Sequence, residues 1–384
     1  MERNPAVPRR TPKTPWAAAC AAAVLMLAGC TSGSSGGEEE PASSAGTDNA
    51  GAGSSRVRVL RVVTQGLNTP WGLAALPDGD LLVSSRDGGT ITRVDADNGR
   101  KTEAGTVRGA QDLPGEGGLL GLAVSPDFAS DRLVYAYFTT ASDNRIVRMR
   151  YDTSRPQGEQ LGRPETVLEG IPTGTYHNGG RITFGRDGML YAGTGETWDK
   201  PIAQDRDSLG GKILRMTPEG RPAPGNPESG SPVYSSGHRN PQGLAFDDDG
   251  RLWASEFGQD TWDELNLIRP GRNYGWPEVE GTSDRAGFTN PVAQWRPADA
   301  SPIGIAYAGG AIWMASLRGE RLWRIPLDGT RVAGEPSATL EGSYGRLRTV
   351  VAAGGDRLWL VTSNTDGKGS PEDSDDRILL LRVS

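Results

Sequence analysis

From residue 56 onward, apolar residues recur in short, strand-length runs, and a turn rich in Asp and Gly separates each pair of runs. Six copies can be aligned. Runs 71–74 and 81–84 flank Pro77-Asp78-Gly79, runs 121–124 and 133–135 flank Pro126-Asp127-Phe128, and runs 181–184 and 190–192 flank Asp187-Gly188. Runs 243–246 and 252–254 flank Asp249-Gly250, runs 304–307 and 312–314 flank Gly309-Gly310, and runs 349–352 and 358–360 flank Gly354-Gly355. Asp-Gly between β-rich runs is a strong hairpin signal, because both residues tolerate the positive φ that tight turns need. Third strands are predicted at 91–94, 213–216 and 322–325. A repeat of roughly 45 to 60 residues is that of propeller blades, so the pattern predicts an all-β, six-bladed β-propeller over 56–384. A β-sandwich is the alternative, and a parallel α/β sheet is disfavoured because no amphipathic helix separates the strands.

The phase of the repeat points to function. In each hairpin the first strand leaves one face and the second returns to it, so residues before the first and after the second share a rim. His177 and His238, the two histidines of the chain, both precede a first strand. So does Glu116, while Arg346 and Arg348 enter the first strand of the last repeat. Gly258 and Gln259 follow the second strand of repeat four, and Arg318 follows that of repeat five. Polar groups from separate repeats therefore converge around one end of the axis, as a ligand pocket requires. Arg239, Arg318, Arg346 and Arg348 predict an anionic ligand there, because guanidinium forks match planar carboxylates. Neither histidine has a second His or Cys at ligand spacing, which argues against zinc.

Before the repeats, Arg3, Arg9, Arg10 and Lys13 precede an apolar run, and Leu27-Ala28-Gly29-Cys30 follows. This resembles a bacterial lipoprotein signal over 1–29, with an ordinary signal peptide as the alternative. Cys30 would be lipidated, and 30–55, Ser/Gly/Glu-rich without apolar periodicity, would be a flexible tether of about 25–30 Å. The expectation is a monomer outside the cytoplasm, attached to the membrane only through lipid. Loss of 1–29 removes four basic groups and Glu2 and takes the formal charge from -7 to -10, so nucleic acid is an improbable partner. Cys20 leaves with the signal, so the exported domain has no thiol for a disulfide or a nucleophile.

Seven motifs in order, from Glu116-Gly117-Gly118-Leu119-Leu120-Gly121 through His177-Asn178-Gly179-Gly180-Arg181, Leu209 to Arg215, Gly237-His238-Arg239-Asn240-Pro241-Gln242-Gly243, Asp263-Glu264-Leu265-Asn266, Asn273-Tyr274-Gly275-Trp276-Pro277 and Arg346-Leu347-Arg348, carry a resemblance over about residues 60–383. The chain resembles the soluble pyrroloquinoline quinone (PQQ) dependent sugar dehydrogenases of the glucose/sorbosone dehydrogenase family, in their aldose sugar dehydrogenase branch. The resemblance implies PQQ and calcium as cofactors, an aldose substrate oxidised to a lactone, and an external electron acceptor. It assigns His177 as the base at the anomeric hydroxyl, with Arg239 and Asn240 holding the cofactor and stabilising developing charge. Arg346 and Arg348 would clamp PQQ carboxylates, and Glu116, Asp263 and Arg318 would complete the cofactor contacts. The carbonyls of Gly258 and Gln259 would bind calcium, and Glu264 and Tyr274 match a second, structural calcium site. His238 has no catalytic role in the family and is read as orienting its loop.

Several positions depart from the glucose-specialised pattern: Glu116 and Phe257 stand where glutamines are expected, Tyr176 replaces an acid, and Arg318 replaces a lysine. Asp299 falls where a threonine contacts PQQ. Two other functions remain open from the residues alone. One is a calcium-dependent lactonase built on carboxylate and Asn side chains, and the other a non-catalytic glycan- or partner-binding lipoprotein using surface residues such as Trp198 or Trp262.

Overall fold

The computed structural model describes residues 57–112 and 114–384. The proposed signal, Cys30 and the tether lie outside the described residues. The six repeats form six antiparallel sheets, each a blade. Their inner strands are Pro70–Ala75, Leu119–Val124, Ile182–Phe184, Pro241–Phe246, Pro302–Ala308 and Leu347–Ala352, and each pairs with the strand that follows it. The predicted third strands also form, as Thr90–Val94, Lys212–Met216 and Leu322–Asp328. Among the described residues, helix is confined to Phe128–Asp131 and a 3-10 turn at Lys200–Ala203.

Ring closure was not legible in the repeats. The outer strand of the last blade is Arg58–Thr64, from the start of the domain, paired with Ile378–Arg382 from its end. Inner strands of neighbouring blades touch all the way round, the first against the last included. Apolar clusters fill the spaces between blades, and Trp253, Trp313 and Trp359 sit in them, as their strand phase predicts. Core side chains of this size each contribute roughly 1.5 to 3 kcal/mol or more through area removed from water. The result is a rigid ring whose rim loops are held from both sides. Among the described residues no helix is long and apolar enough to cross a membrane.

Candidate active site

The rim loops enclose a cavity of about 310 Å³ whose lining includes Glu116, His177, Arg239, Asn240, Gly258, Gln259, Asp263, Arg318, Arg346 and Arg348. Ten of the residues singled out from the sequence are thus brought together from four of the blade-to-blade loops and from strand ends. Glu264 and Tyr274 are not among them. They line a separate small cavity beneath, with Glu256 and Glu280. Asp299 does not line the large cavity either; Pro297 and Ser301 from the same loop do.

His177 is held in the left-handed region, at φ 56°. Its backbone is fixed by its neighbours: the N–H donates to Glu116 Oε2 at 3.2 Å, and the carbonyl accepts from Thr197 at 3.2 Å. Gly195 lies so close that a Cβ there would fall on the His177 carbonyl, which explains a glycine at that position. The ring Nδ1 meets Glu196 Oε1 at 2.8 Å, and Glu196 is fully buried. An indole N–H can only donate, so Nε2, which meets that of Trp198, keeps its lone pair and Nδ1 carries the proton toward Glu196. Trp198 donates its indole N–H to that Nε2 at 3.1 Å. Neither Glu196 nor Trp198 is marked as a partner by anything in the local sequence; the only available signal was their place just after a second strand, on the same rim.

The cationic side is denser than the motifs suggested. Arg86 and Lys368 join Arg239, Arg318, Arg346 and Arg348, against the carboxylates of Glu116, Asp263 and Asp366. Asp366 Oδ2 accepts from Arg346 Nη2 at 2.8 Å and from Arg348 Nη2 at 3.3 Å, so one oxygen holds two guanidiniums in place. Arg348 Nε donates to Ser363 Oγ at 2.9 Å. These bonds leave N–H donors over on both arginines. Burial, with Arg86 and Arg346 close by, pushes Arg348 down to about 10 despite Asp366. Burial likewise lowers Arg239, whose Nε is buried with no hydrogen-bond partner. Crowded, partly unsatisfied guanidiniums are what a planar polycarboxylate would satisfy. The residues present therefore fit PQQ, with its three carboxylates.

Beneath them Trp71 carries Arg181 at 4.6 Å and Arg348 at 5.8 Å from its ring centre. Burial and the neighbouring Arg348 push Arg181 down to about 9.

The Glu116 carboxylate is paired with a cation. Burial raises its pKa, but Lys368 at 3.1 Å and the His177 N–H outweigh that and hold it below the ordinary glutamate value. Its charge is turned toward Lys368, a residue at the far end of the chain. Asp263 lines the cavity, but both its oxygens are engaged by backbone, Oδ1 by Gly258 N–H at 2.9 Å and Oδ2 by Ser301 N–H at 2.7 Å. Burial pushes it up to about 6.

The Gly258-Gln259 loop shows how two carbonyls come to be presented. Glu280 Oε1 accepts four successive backbone N–H groups, from Gln259 at 2.7 Å, Asp260 at 3.1 Å, Thr261 at 3.0 Å and Trp262 at 3.2 Å. In a trans peptide the C=O points opposite to the N–H of the next residue. With the amides of Gln259 and Asp260 drawn to Glu280, the carbonyls of Gly258 and Gln259 point away from it, and both residues line the cavity. Oxygen donors of this kind suit a hard cation such as calcium. Glu280 was not legible in the sequence. Among the described residues, no group of three or more His, Cys, Asp or Glu is arranged to hold a metal ion.

Around the small cavity, burial and the nearby Glu256 push Glu264 up to about 8. Its Oε1 accepts from Gly281 N–H and its Oε2 from Asn266. The Tyr274 hydroxyl is turned elsewhere, donating to the Leu267 carbonyl at 2.6 Å, and its ring stacks on His238. His238 is fully buried, with Nδ1 on Glu256 Oε2 and Nε2 on Ser235 Oγ, both at 2.8 Å. Glu256 also accepts the Arg239 backbone N–H, so His238 orients the loop that presents Arg239.

Fold and site define a six-bladed propeller with a cation-lined cavity beside a carboxylate-oriented imidazole. The chain belongs to the Glucose / Sorbosone dehydrogenase family, whose model matches residues 67–380. It is similar to the PQQ-bound form of an aldose sugar dehydrogenase from Streptomyces coelicolor, at 70% identity and a TM-score of 0.85, covering 86% of this chain and 99% of that one. It is 33% identical to the aldose sugar dehydrogenase YliI of Escherichia coli over 61% of this chain and 66% of that one. It is 32% identical to quinoprotein glucose dehydrogenase B of Acinetobacter calcoaceticus over 59% of this chain and 54% of the relative. These two matches span about half to two thirds of the relatives' lengths.

Proposed function

We infer that the protein is a quinoprotein aldose dehydrogenase that binds PQQ in the arginine-lined cavity and oxidises sugars at the anomeric carbon. The observation that carries this reading is His177, whose Nδ1 is committed to buried Glu196 while Nε2 keeps the lone pair of a base, met only by the Trp198 indole N–H, at the cavity that gathers six cationic side chains. PQQ, when bound, supplies an ortho-quinone that accepts hydride. His177 Nε2 takes the proton of the anomeric hydroxyl, and Glu196 stabilises the resulting imidazolium and keeps the ring in register. Arg346 and Arg348 would hold the cofactor carboxylates, and Arg239 and Asn240 would hold the cofactor and stabilise developing charge. Calcium would be held by the carbonyls of Gly258 and Gln259 and would act there as a Lewis acid. The product is a lactone, and electrons leave to an external acceptor. A lactonase would need side-chain carboxylates gathered round one ion, whereas those lining this cavity are engaged elsewhere, Glu116 by Lys368, Asp263 by two backbone N–H groups and Asp366 by Arg346 and Arg348.

The test is dye reduction by purified protein given PQQ, calcium and an aldose. Turnover that a chelator suppresses and calcium restores supports the reading; failure to bind PQQ at all overturns it. The domain is further proposed to be a monomer exported and anchored through Cys30. Labelled palmitate should enter the wild-type protein and not Cys30→Ala.

A further inference from the structure

We propose that Trp198 is a substrate-displaced cap on the catalytic base, and that the same indole is the platform on which the sugar ring stacks. This rests on the reading of His177 as the base. Trp198 is 66% exposed, whereas Trp71, Trp253, Trp276, Trp295, Trp313 and Trp359 are all buried. A large aromatic side chain kept in water forgoes the stabilisation its apolar surface would gain on burial, so its position calls for another use.

That use is visible in its one polar contact. The indole N–H occupies the Nε2 lone pair of His177, and this nitrogen has a single lone pair to offer. An anomeric hydroxyl cannot donate to it until the indole withdraws. In the resting enzyme the base is therefore masked, and the sugar must exchange one donor for another.

The chain is built for that exchange. Thr197 at φ 56° and Trp198 at φ 66° are consecutive non-glycine residues in the left-handed region, where the Cβ of an L-residue crowds its own backbone. The turn is held by Thr197 N–H on the His177 carbonyl and by Asp199 N–H on the Glu196 carbonyl, so the two base residues themselves define where the indole sits. Tyr176 supports one side of the indole at 4.9 Å between ring centres, and Lys368 lies 5.9 Å from the Tyr176 ring. The remaining surface is exposed, and His177, which the indole bonds, lines the cavity. The C–H face of a pyranose is apolar and its hydroxyls are polar, so an open indole next to the base suits that ligand better than it suits bulk water. After a small rotation the indole could hold the ring while the anomeric hydroxyl reaches Nε2.

Two variants separate cap from platform in the PQQ- and calcium-loaded enzyme, using whichever of glucose, galactose and xylose the wild type turns over fastest. Trp198→Phe keeps an aromatic face and removes the competing N–H. We expect its KM to fall about 2- to 10-fold with kcat unchanged, the worth of one net hydrogen bond. Trp198→Ala removes both, and its KM should rise on the order of 10-fold. An independent readout needs no turnover: in enzyme loaded with reduced PQQ, the Trp198 indole N–H resonance, assigned by its loss in Trp198→Phe, should move upfield as the sugar is added, together with the His177 ring nitrogen. Equal increases in KM for both variants, or an indole resonance unmoved at saturating sugar, would overturn the proposal. Those results leave a turning-over wild type intact, whereas a wild type that oxidises no aldose removes the underlying reading as well.

Discussion

His177 and His238 lie one blade apart, each in the loop that feeds the inner strand of the next blade. Each gives Nδ1 to a glutamate at 2.8 Å, Glu196 for one and Glu256 for the other, and each glutamate comes at or just beyond the end of that next blade's second strand. Up to this point the two sites are the same device used twice. They part at Nε2. In His238 that nitrogen is closed off by Ser235 Oγ and the ring is pressed against Tyr274, with no exposure at all. In His177 it faces a cavity edge and an exposed indole that can leave. An imidazole–carboxylate pair is thus a structural part or a base according to what lies on its far side. Burial of both nitrogens makes it the first, and access to one makes it the second.

The largest effect that this contrast predicts is at His177. His177→Ala should lower kcat about 10²- to 10⁴-fold in dye-coupled assays while PQQ still binds, measured by the absorbance of the bound quinone. His238→Ala, by contrast, should leave kcat per folded molecule within a few-fold. If the two variants lost turnover equally, the distinction drawn at Nε2 would be wrong.

Glu196→Gln comes next. The amide can donate to Nδ1 and so favour the tautomer with the proton on Nε2, which cannot accept from a hydroxyl. Turnover should fall on the order of 10²-fold with KM little changed, and the melting temperature should move far less than for Glu256→Gln.

His238→Ala belongs to the stability side. It strips a partner from buried Glu256 and from Ser235 and opens a void beneath Tyr274, at a cost of about 2 to 4 kcal/mol in denaturant unfolding. A stability loss no greater than that of His177→Ala would contradict the structural role.

The smallest effect concerns the strap between the two loops. Lys212 donates from Nζ to the carbonyls of Ile202, Ala203 and Gly210, while Gly237 and His238 bond back to Ala203 and Gly211. Burial pushes this lysine down from 10.5 to about 8. Between those values the unfolded chain binds a proton that the folded chain does not, so wild-type stability gains as pH rises through the window. Lys212→Met lacks that gain. Its deficit against wild type should therefore widen, by on the order of 1 to 3 kcal/mol, between pH 8 and 10. A deficit that shrinks over that range would show that the ammonium is not disfavoured by folding.

Much of this molecule could be read along the chain. The short apolar runs and the Asp- and Gly-rich turns between them located every inner hairpin, and their phase put His177, Arg239, Arg346 and Arg348 on one rim. The phase of Trp253, Trp313 and Trp359 placed them in the core. Such signals survive in a single sequence because strand alternation and turn chemistry are local, decided by residues within a few positions of one another.

What the tertiary structure decided lies between distant segments. Ring closure brings Arg58–Thr64 onto Ile378–Arg382 and puts Lys368 on Glu116, which settles the charge of a residue that looked out of place beside an anion. It sets Asp366 between Arg346 and Arg348, Glu280 behind Gly258 and Gln259, and Glu196 and Trp198 on opposite nitrogens of His177. The sequence by itself determined the blades and which residues reach the rim; only the closed ring decided which of them meet, because a side-chain partnership across blades depends on relative positions that no local pattern encodes.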